Sequence, residues 1–481
     1  MNWFAKPKFF SPEQMQDIHQ KSLELLATKG VVFKSEKALK ILEENGAKVE
    51  GEIAFIPESL VEKCLKSVPE TFRMDAINPE RAVTIGGDFI IHPAGGEVFL
   101  KDGEGKRYSA ATIQQFSDLQ KIYQACDNIN MTGYQPLSPE DVPLKTRGLH
   151  CLLETFIYTD KPVLAPMDYV SGEDKHKELQ MYEVVFGSDY VKNHYLTWSI
   201  VTPESPLVYS EFSCESIMEF AESNQPVALV SAPMSGLTGP IHLLGTIILA
   251  NTETLAGLCL AQCTRSGIPV LPSASLTYGN MKLATWECAS PDSALMLAGA
   301  VQMYKDFYHL PARAQTGVTS SKLVDYQAGY ETMQSLLLTA LMDVDVTSQS
   351  AGSLENLMTI SFEKTVIDDE VIARVRRIIG GLPFNDETAS MDLINEVKHG
   401  ESFLKHKSTL KNFRKGWQPA ISDWNSYDQW EKEGSAQIEA RAQEKVKEIL
   451  ANAKPLLDSA LPSAPEAEFR CFLQLPLLTV T

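Results

Sequence analysis

Two stretches of this 481-residue chain carry polar side chains two positions apart: Arg313 with Gln315, and Asp345 with Thr347 and Gln349. In an extended strand that spacing puts each set on one face. A guanidinium on a buried face is costly unless a carboxylate answers it. Arg313 therefore calls for a partner, either Asp345 on the next strand or the carboxylate of a bound molecule. Tyr134, Tyr169, Trp198 and Tyr278 lie near the ends of other apolar runs. Such rings can surround a quaternary ammonium group, whose charge is held by ring quadrupoles rather than hydrogen bonds; they can equally be ordinary core aromatics. Asp168, Ser275, Gln315 and Gln349 are candidates to orient the rest of such a ligand, with His92 and Glu204 as further candidates. The run ends hold no histidine cluster, nucleophile elbow or lysine, which speaks against metal-assisted hydrolysis, acyl transfer and Schiff-base chemistry. No residue is assigned as acid or base. Cys259 and Cys263 sit one helical turn apart without a second pair, so no metal site is expected.

These residues must be positioned by the elements around them. Several apolar runs are introduced by proline, at Pro162, Pro226, Pro269 and Pro311, and proline is tolerated at the first residue of a strand but not within a central one. Their intervals of 64, 43 and 42 residues correspond to two, one and one strand-helix units. Adding runs at Phe89–His92, Ile129–Gly133, Leu196–Val201 and Val344–Ser348 gives eight strands with helices between nearly all of them. That pattern predicts an α/β fold, a (β/α)8 TIM barrel, over 86–385. Gly86-Gly87 and Gly95-Gly96 do not form the phosphate turn of a doubly wound sheet. Before the barrel, 1–85 reads as a helical cap: Ser11, Pro12 and Gln14 open one helix, Ser35 a second that stops at Asn45-Gly46, and Pro57 a third. After it, 386–481 reads as a helical extension with a long helix from about Ser435 to Ala453.

The 43 Lys and Arg against 62 Asp and Glu give a net charge of −19, a field that repels nucleic acid and anionic lipid. Hydrophobic residues at 44% and charged residues at 22% are ordinary for a globular chain. The eight scattered cysteines read as reduced thiols. Met1 to Phe4 lack the features of an export signal, and the apolar stretch Ile241–Cys263 is interrupted by His242, Asn251 and Glu253. A soluble cytoplasmic protein without membrane or nucleic-acid partners is expected, assembling as a homo-oligomer to which the apolar tail Phe469–Thr481 contributes.

From Thr238 onward the chain carries Thr238-Gly239-Pro240-Ile241, Asn251-x-Glu253-x-Leu255-Ala256-Gly257, Gly267-Ile268-Pro269-Val270 and Leu310-Pro311-Ala312-Arg313. Further on come Ser321-Lys322-x-x-Asp325-x-Gln327-Ala328-x-x-Glu331, Ala351-Gly352-Ser353-Leu354-Glu355 and Asp368-Asp369-Glu370. Together these resemble the trimethylamine methyltransferase superfamily of corrinoid-dependent enzymes, over about 10–385. The resemblance implies a barrel whose mouth receives a separate corrinoid (cobalamin) protein, with Co(I) attacking a substrate methyl group. Founding members carry pyrrolysine; this chain has only standard residues and looks like the branch without it, whose known substrates are quaternary amines such as glycine betaine, proline betaine and carnitine. A quaternary nitrogen leaves as a neutral amine and needs no general acid, in keeping with the scarcity of acid-base groups at the strand ends. The expectation is a methyltransferase passing a methyl group from a betaine-type quaternary amine to a corrinoid protein. The alternatives are a betaine-binding barrel without turnover and a corrinoid-independent barrel lyase.

Overall fold

Three of the four prolines directly precede strands, and Pro311 lies two residues before one. The computed structural model describes residues 6–101, 107, 110–133, 135–165 and 172–456. At its centre are eight short strands: β1 Ile90–Ile91, β2 Thr132–Gly133, β3 Val163–Leu164, β4 Ser199–Val201, β5 Val227–Ser231, β6 Val270–Ala274, β7 Arg313–Gln315 and β8 Val346–Ser348. They run parallel, β4-β5-β6-β7-β8-β1 in one sheet and β2-β3 as a pair. The amides of Asn130 and Met131 donate to the Ile91 carbonyl at 3.0 and 3.2 Å, joining β1 to β2. The Ala165 amide donates to Thr197 Oγ1 at 2.8 Å, joining β3 to the approach of β4. A helix follows every strand, from Ile113–Ala125 after β1 to Phe362–Ile379 after β8. The chain is a (β/α)8 TIM barrel.

The segment before the barrel is more than helical. Pro12–Thr28, Glu36–Glu44 and Glu58–Ser67 form the expected helices, the first with Ser11 and Gln14 in a reciprocal capping box. Between them Val31–Phe33, Lys48–Glu50 and Ile53–Phe55 pair into a sheet that Val208–Tyr209, from the loop after β4, extends. The run Val31-Val32-Phe33 is β-branched and aromatic, which suits a strand. A hairpin, Phe72–Met74 with Val83–Ile85, then leads into β1. Its Phe72, Met74, Val83 and Ile85 share one apolar cluster with Ile90, Met131, Trp198, Ile200, Ala228, Val230, Leu271 and Val346, closing the barrel at the end where the strands begin.

The 22-residue helix Leu243–Thr264 has the length and hydropathy of a membrane span, yet its most apolar window is 78% buried. It packs against Pro12–Thr28, Glu58–Ser67 and Glu211–Glu222; a helix apolar all round is a core helix when protein surrounds it. Its Gly257 is required by close approach, since a Cβ there would meet the Tyr209 hydroxyl at 2.3 Å.

Beyond the barrel, Ile438–Asn452 packs on Phe362–Ile379 and Ile113–Ala125. The approach to that helix is gripped by one carboxylate. Glu370 accepts from the amides of Ala420, Ile421 and Ser422 at 2.9, 2.6 and 2.9 Å, from the Ser422 hydroxyl at 2.5 Å and from Arg374 at 2.9 Å. Burial alone would raise its pKa, but the Ser422 hydroxyl, the backbone amides and Arg374 take it down to about 2. Glu370→Gln is expected to cost about 2 kcal/mol at pH 7 in urea unfolding. Because the folded pKa is the depressed one, this contribution is complete above the unfolded value of about 4.3 and fades as the pH falls toward 2. The difference between the proteins should shrink by roughly half at pH 3; a constant difference would mean that charge plays no part in the grip.

Candidate active site

Strand register sorts the barrel's side chains into layers, because residues level with one another in a parallel sheet point to the same side. Ile200, Ala228 and Leu271 are level, and all lie in the apolar cluster that closes the barrel. One step up, Val230 is level with Ser273, Ser273 with Arg313, Arg313 with Val346 and Val346 with Ile90. Ala274, Ala312 and Ala314, of the opposite parity, pack instead into the cluster on the helix side. Two residues further toward the carboxyl ends come His92, Ser275, Gln315 and Ser348, every one buried. The interior thus changes from an apolar plug where the strands start to a polar floor at the mouth, where a barrel places its chemistry.

Arg313 is 2% exposed on this inner face, and the expected pair with Asp345 does not form. Asp345 is one residue before inward-facing Val346, so it turns toward the helices. There both its oxygens accept from Lys305 Nζ at 2.7 Å, and one accepts from the Ala312 amide at 2.7 Å. His92 is 1% exposed. Burial, and secondarily the positive charge of Arg313, lower its pKa to about 3, so its ring is neutral across the physiological range. Gln315 faces inward and donates to Cys288 Sγ at 3.5 Å. Ser275 continues β6 into a hairpin, Thr277–Asn280 with Thr285–Glu287, that carries half-buried Tyr278 beside the mouth.

Three other candidates stand elsewhere or are otherwise engaged. Trp198 precedes the first residue of β4 and lies within the apolar plug, 1% exposed, at the opposite end from the mouth. Gln349 binds the backbone of Gly95 with both ends of its amide, accepting from the nitrogen at 2.6 Å and donating to the oxygen at 2.7 Å, so it positions the loop after β1. Glu204 is exposed and faces Lys34 of the N-terminal segment at 3.9 Å. Tyr134, Asp168 and Tyr169 lie outside the described residues.

The acids of the sequence blocks fasten the loops around the mouth. Glu253 accepts from Ser231 at the end of β5 at 2.5 Å, and from Ser205 and the Leu207 amide after β4 at 2.9 Å each. Glu331 accepts from Thr319, the Ser320 amide and Gln327 at 2.5, 2.8 and 2.9 Å, while Asp325 accepts from Ser321 at 2.9 Å and caps the helix that follows. Asp368 accepts from Lys364 at 2.5 Å and from the Gly352 amide at 2.8 Å. Gly352 itself, at φ 89°, leaves no room for a side chain, since a Cβ would meet Thr365 Oγ1 at 2.3 Å. Two polar groups escaped sequence reasoning. The buried Thr277 hydroxyl at the mouth has no hydrogen-bond partner among the described residues, a cost of about 1–3 kcal/mol that a ligand or water would relieve. Glu97, after the Gly95-Gly96 turn, is fully buried, and burial lifts its pKa to about 8. Its electrostatic neighbours are Lys364, on the helix after β8, and Tyr123, on the helix after β1.

A model of the trimethylamine methyltransferase (MTTB) family matches residues 1–472. The chain is similar to a glycine betaine methyltransferase of Desulfitobacterium hafniense strain Y51, 33% identical over 97% of each chain. It is also similar to the trimethylamine methyltransferase MttB of D. hafniense strain DSM 10664 / DCB-2, 30% identical over 97% of this chain and 93% of that one. Among solved structures, the monomethylamine methyltransferase MtmB of Methanosarcina barkeri superposes with a TM-score of 0.54 at 10% identity, covering 91% of this chain and 88% of that one, a likeness of fold.

The placement of Trp198 has a measurable consequence. Trp198→Phe is expected to lower stability by about 1–2 kcal/mol through lost packing while changing the dissociation constant of a bound quaternary amine less than twofold. A tenfold weaker affinity at unchanged stability would return the indole to the ligand.

Proposed function

The chain belongs to the trimethylamine methyltransferase family and is an enzyme of the methyltransferase class; from that premise we propose that it demethylates a carboxylated quaternary amine of the betaine type, with a corrinoid protein as acceptor. One observation carries this reading: the described floor of the barrel offers hydroxyls, an amide, a neutral histidine and one fixed cation, but no group that exchanges protons near neutral pH. A tertiary amine needs a proton or an electrophile to leave, whereas a quaternary nitrogen is cationic already and departs as a neutral amine.

Co(I) of the corrinoid protein supplies the nucleophile. What remains for this chain is positioning. Arg313 meets the substrate carboxylate, which sets the ammonium end toward the opening. Ser275, Gln315 and Ser348 provide hydrogen bonds that fix the substrate without adding charge next to the reacting methyl. Tyr278 presents its ring along the mouth, where an aromatic face suits an ammonium. Holding the methyl in line for attack contributes through orientation rather than acid-base chemistry. The loops above the floor expose apolar side chains suited to a protein partner: Leu237 after β5, Met281 and Leu283 after β6, Leu323 and Tyr326 after β7, and Met358 after β8. Exposed apolar groups gathered around one opening mark an interaction site.

The reaction is tested anaerobically with reduced cobalamin, free and bound to a cognate corrinoid protein, against trimethylamine, glycine betaine, proline betaine, carnitine and γ-butyrobetaine. Loss of Co(I) absorbance with a quaternary amine and none with trimethylamine is expected. No change with any of them would reject methyl transfer, and turnover without a corrinoid would favour a lyase. Arg313→Gln should raise KM for the carboxylated substrate about tenfold or more, with little effect on tetramethylammonium, which has no carboxylate. Equal effects on the two, in a variant whose melting temperature is unchanged, would remove Arg313 from substrate binding.

A further inference from the structure

Between the end of helix Phe362–Ile379 and the segment that Glu370 grips, the chain makes an excursion of ordered structure that has no core of its own. It includes the helices Asp386–Ala389, Met391–Glu396 and Lys407–Asn412, yet no residue from 382 to 420 is buried. Its apolar side chains stand in solvent, Phe384 at 93% and Leu404 at 71% exposure, with Met391, Leu410 and Phe413 also exposed. Helical turns this short are marginal without packing, and apolar surface on this scale marks a protein contact.

Charge identifies the occupant. From 398 to 416 there are six lysines and arginines against one acid, Glu401, a local balance of +5 within a chain of net charge −19. Such a segment is repelled least, and attracted most, by an acidic protein surface. The rest of this chain is one. Location separates this surface from the mouth: the excursion leaves the barrel at Ile379 and Gly380, which line a cleft together with Gly86 and Val344 beside the starts of β1 and β8. A corrinoid protein over the opposite end would not reach it. We propose that residues 382–416 form an arm that packs onto a second copy of this chain, its exposed apolar side chains buried there and its basic half seated on the partner's acidic surface.

The proposal is independent of the reaction assigned above, and its test needs no substrate. Light scattering on the full-length protein at micromolar concentration should give a mass that is a multiple of the 53.3 kDa chain. Combined Leu404→Ser, Leu410→Ser and Phe413→Ser should bring it to the single-chain mass with unchanged circular dichroism, since these residues are exposed in the isolated chain. Combined Lys405→Glu, Lys407→Glu and Lys411→Glu should weaken the dissociation constant by tenfold or more. A single-chain mass for the wild type, with or without added corrinoid protein, overturns the proposal. So does a wild-type mass in the serine variant.

Discussion

A carboxylate removed from water must be surrounded by donors, and those donors are drawn from wherever the chain can bring them. This constraint organises the mouth of the barrel. Glu253 collects donors from the ends of β4 and β5, Glu331 from the loop after β7, and Asp368 from the loop after β8. Asp369 takes both the amide and the side-chain nitrogen of Asn128, on the approach to β2, at 2.9 and 3.1 Å. In each case a helix on the outer ring reaches in and fastens a loop, the one leading into that helix for Glu331 and Asp368 and one from another strand-helix unit for Glu253 and Asp369. Burial raises the pKa of Glu253 and Asp368, while their donors pull it back. Removing either carboxylate would strand several buried donors at once, so the mouth behaves as one rigid unit.

Rigidity matters because the floor beneath it has little chemistry to perform. Its layers pass from the Phe72 and Trp198 plug, through Arg313, to the hydroxyls and amide of Ser275, Ser348 and Gln315. The positive charge of Arg313, added to burial, helps hold His92 neutral. With the proposed substrate, a site built this way would discriminate by shape and by one ionic contact, at Arg313. Groups that cannot trade protons are an advantage where the leaving group is already charged, since a wandering proton adds nothing to the reaction.

Much of this was visible in the sequence, and the failures have specific causes. Proline at strand starts located β3, β5, β6 and β7, and period-two alternation put Arg313 and Gln315 on the inner face together. The same alternation, applied to β8 without its register, put Asp345 on the wrong side: Val346 is the inward residue, and Asp345 answers Lys305. Trp198 was misplaced along the barrel axis because an apolar run does not show which of its residues is level with the plug. The acidic blocks stood out as distinctive, yet the work of Glu253 and Glu370 could not be read, because their donors include groups far away in sequence. Glu253 bonds Ser205 across 48 positions, and Glu370 bonds Ile421 across 51. Glu97 and Thr277 gave no signal, since their importance comes only from burial.

The two ends of the barrel present different kinds of apolar surface, and the difference follows from what each must do. At the mouth the exposed side chains are dispersed, one or two per loop, on loops pinned by buried carboxylates. In the proposed reaction the partner that takes the methyl group must also leave, and scattered contacts on the rim give area without the continuous apolar core of an obligate interface. At the other end the apolar residues are contiguous in sequence, on an excursion with no core beneath it. Water exposure there is a standing cost to the single chain, which only a lasting contact offsets. The two proposed contacts, transient at one end and lasting at the other, can then coexist, because neither surface has to compromise for the other.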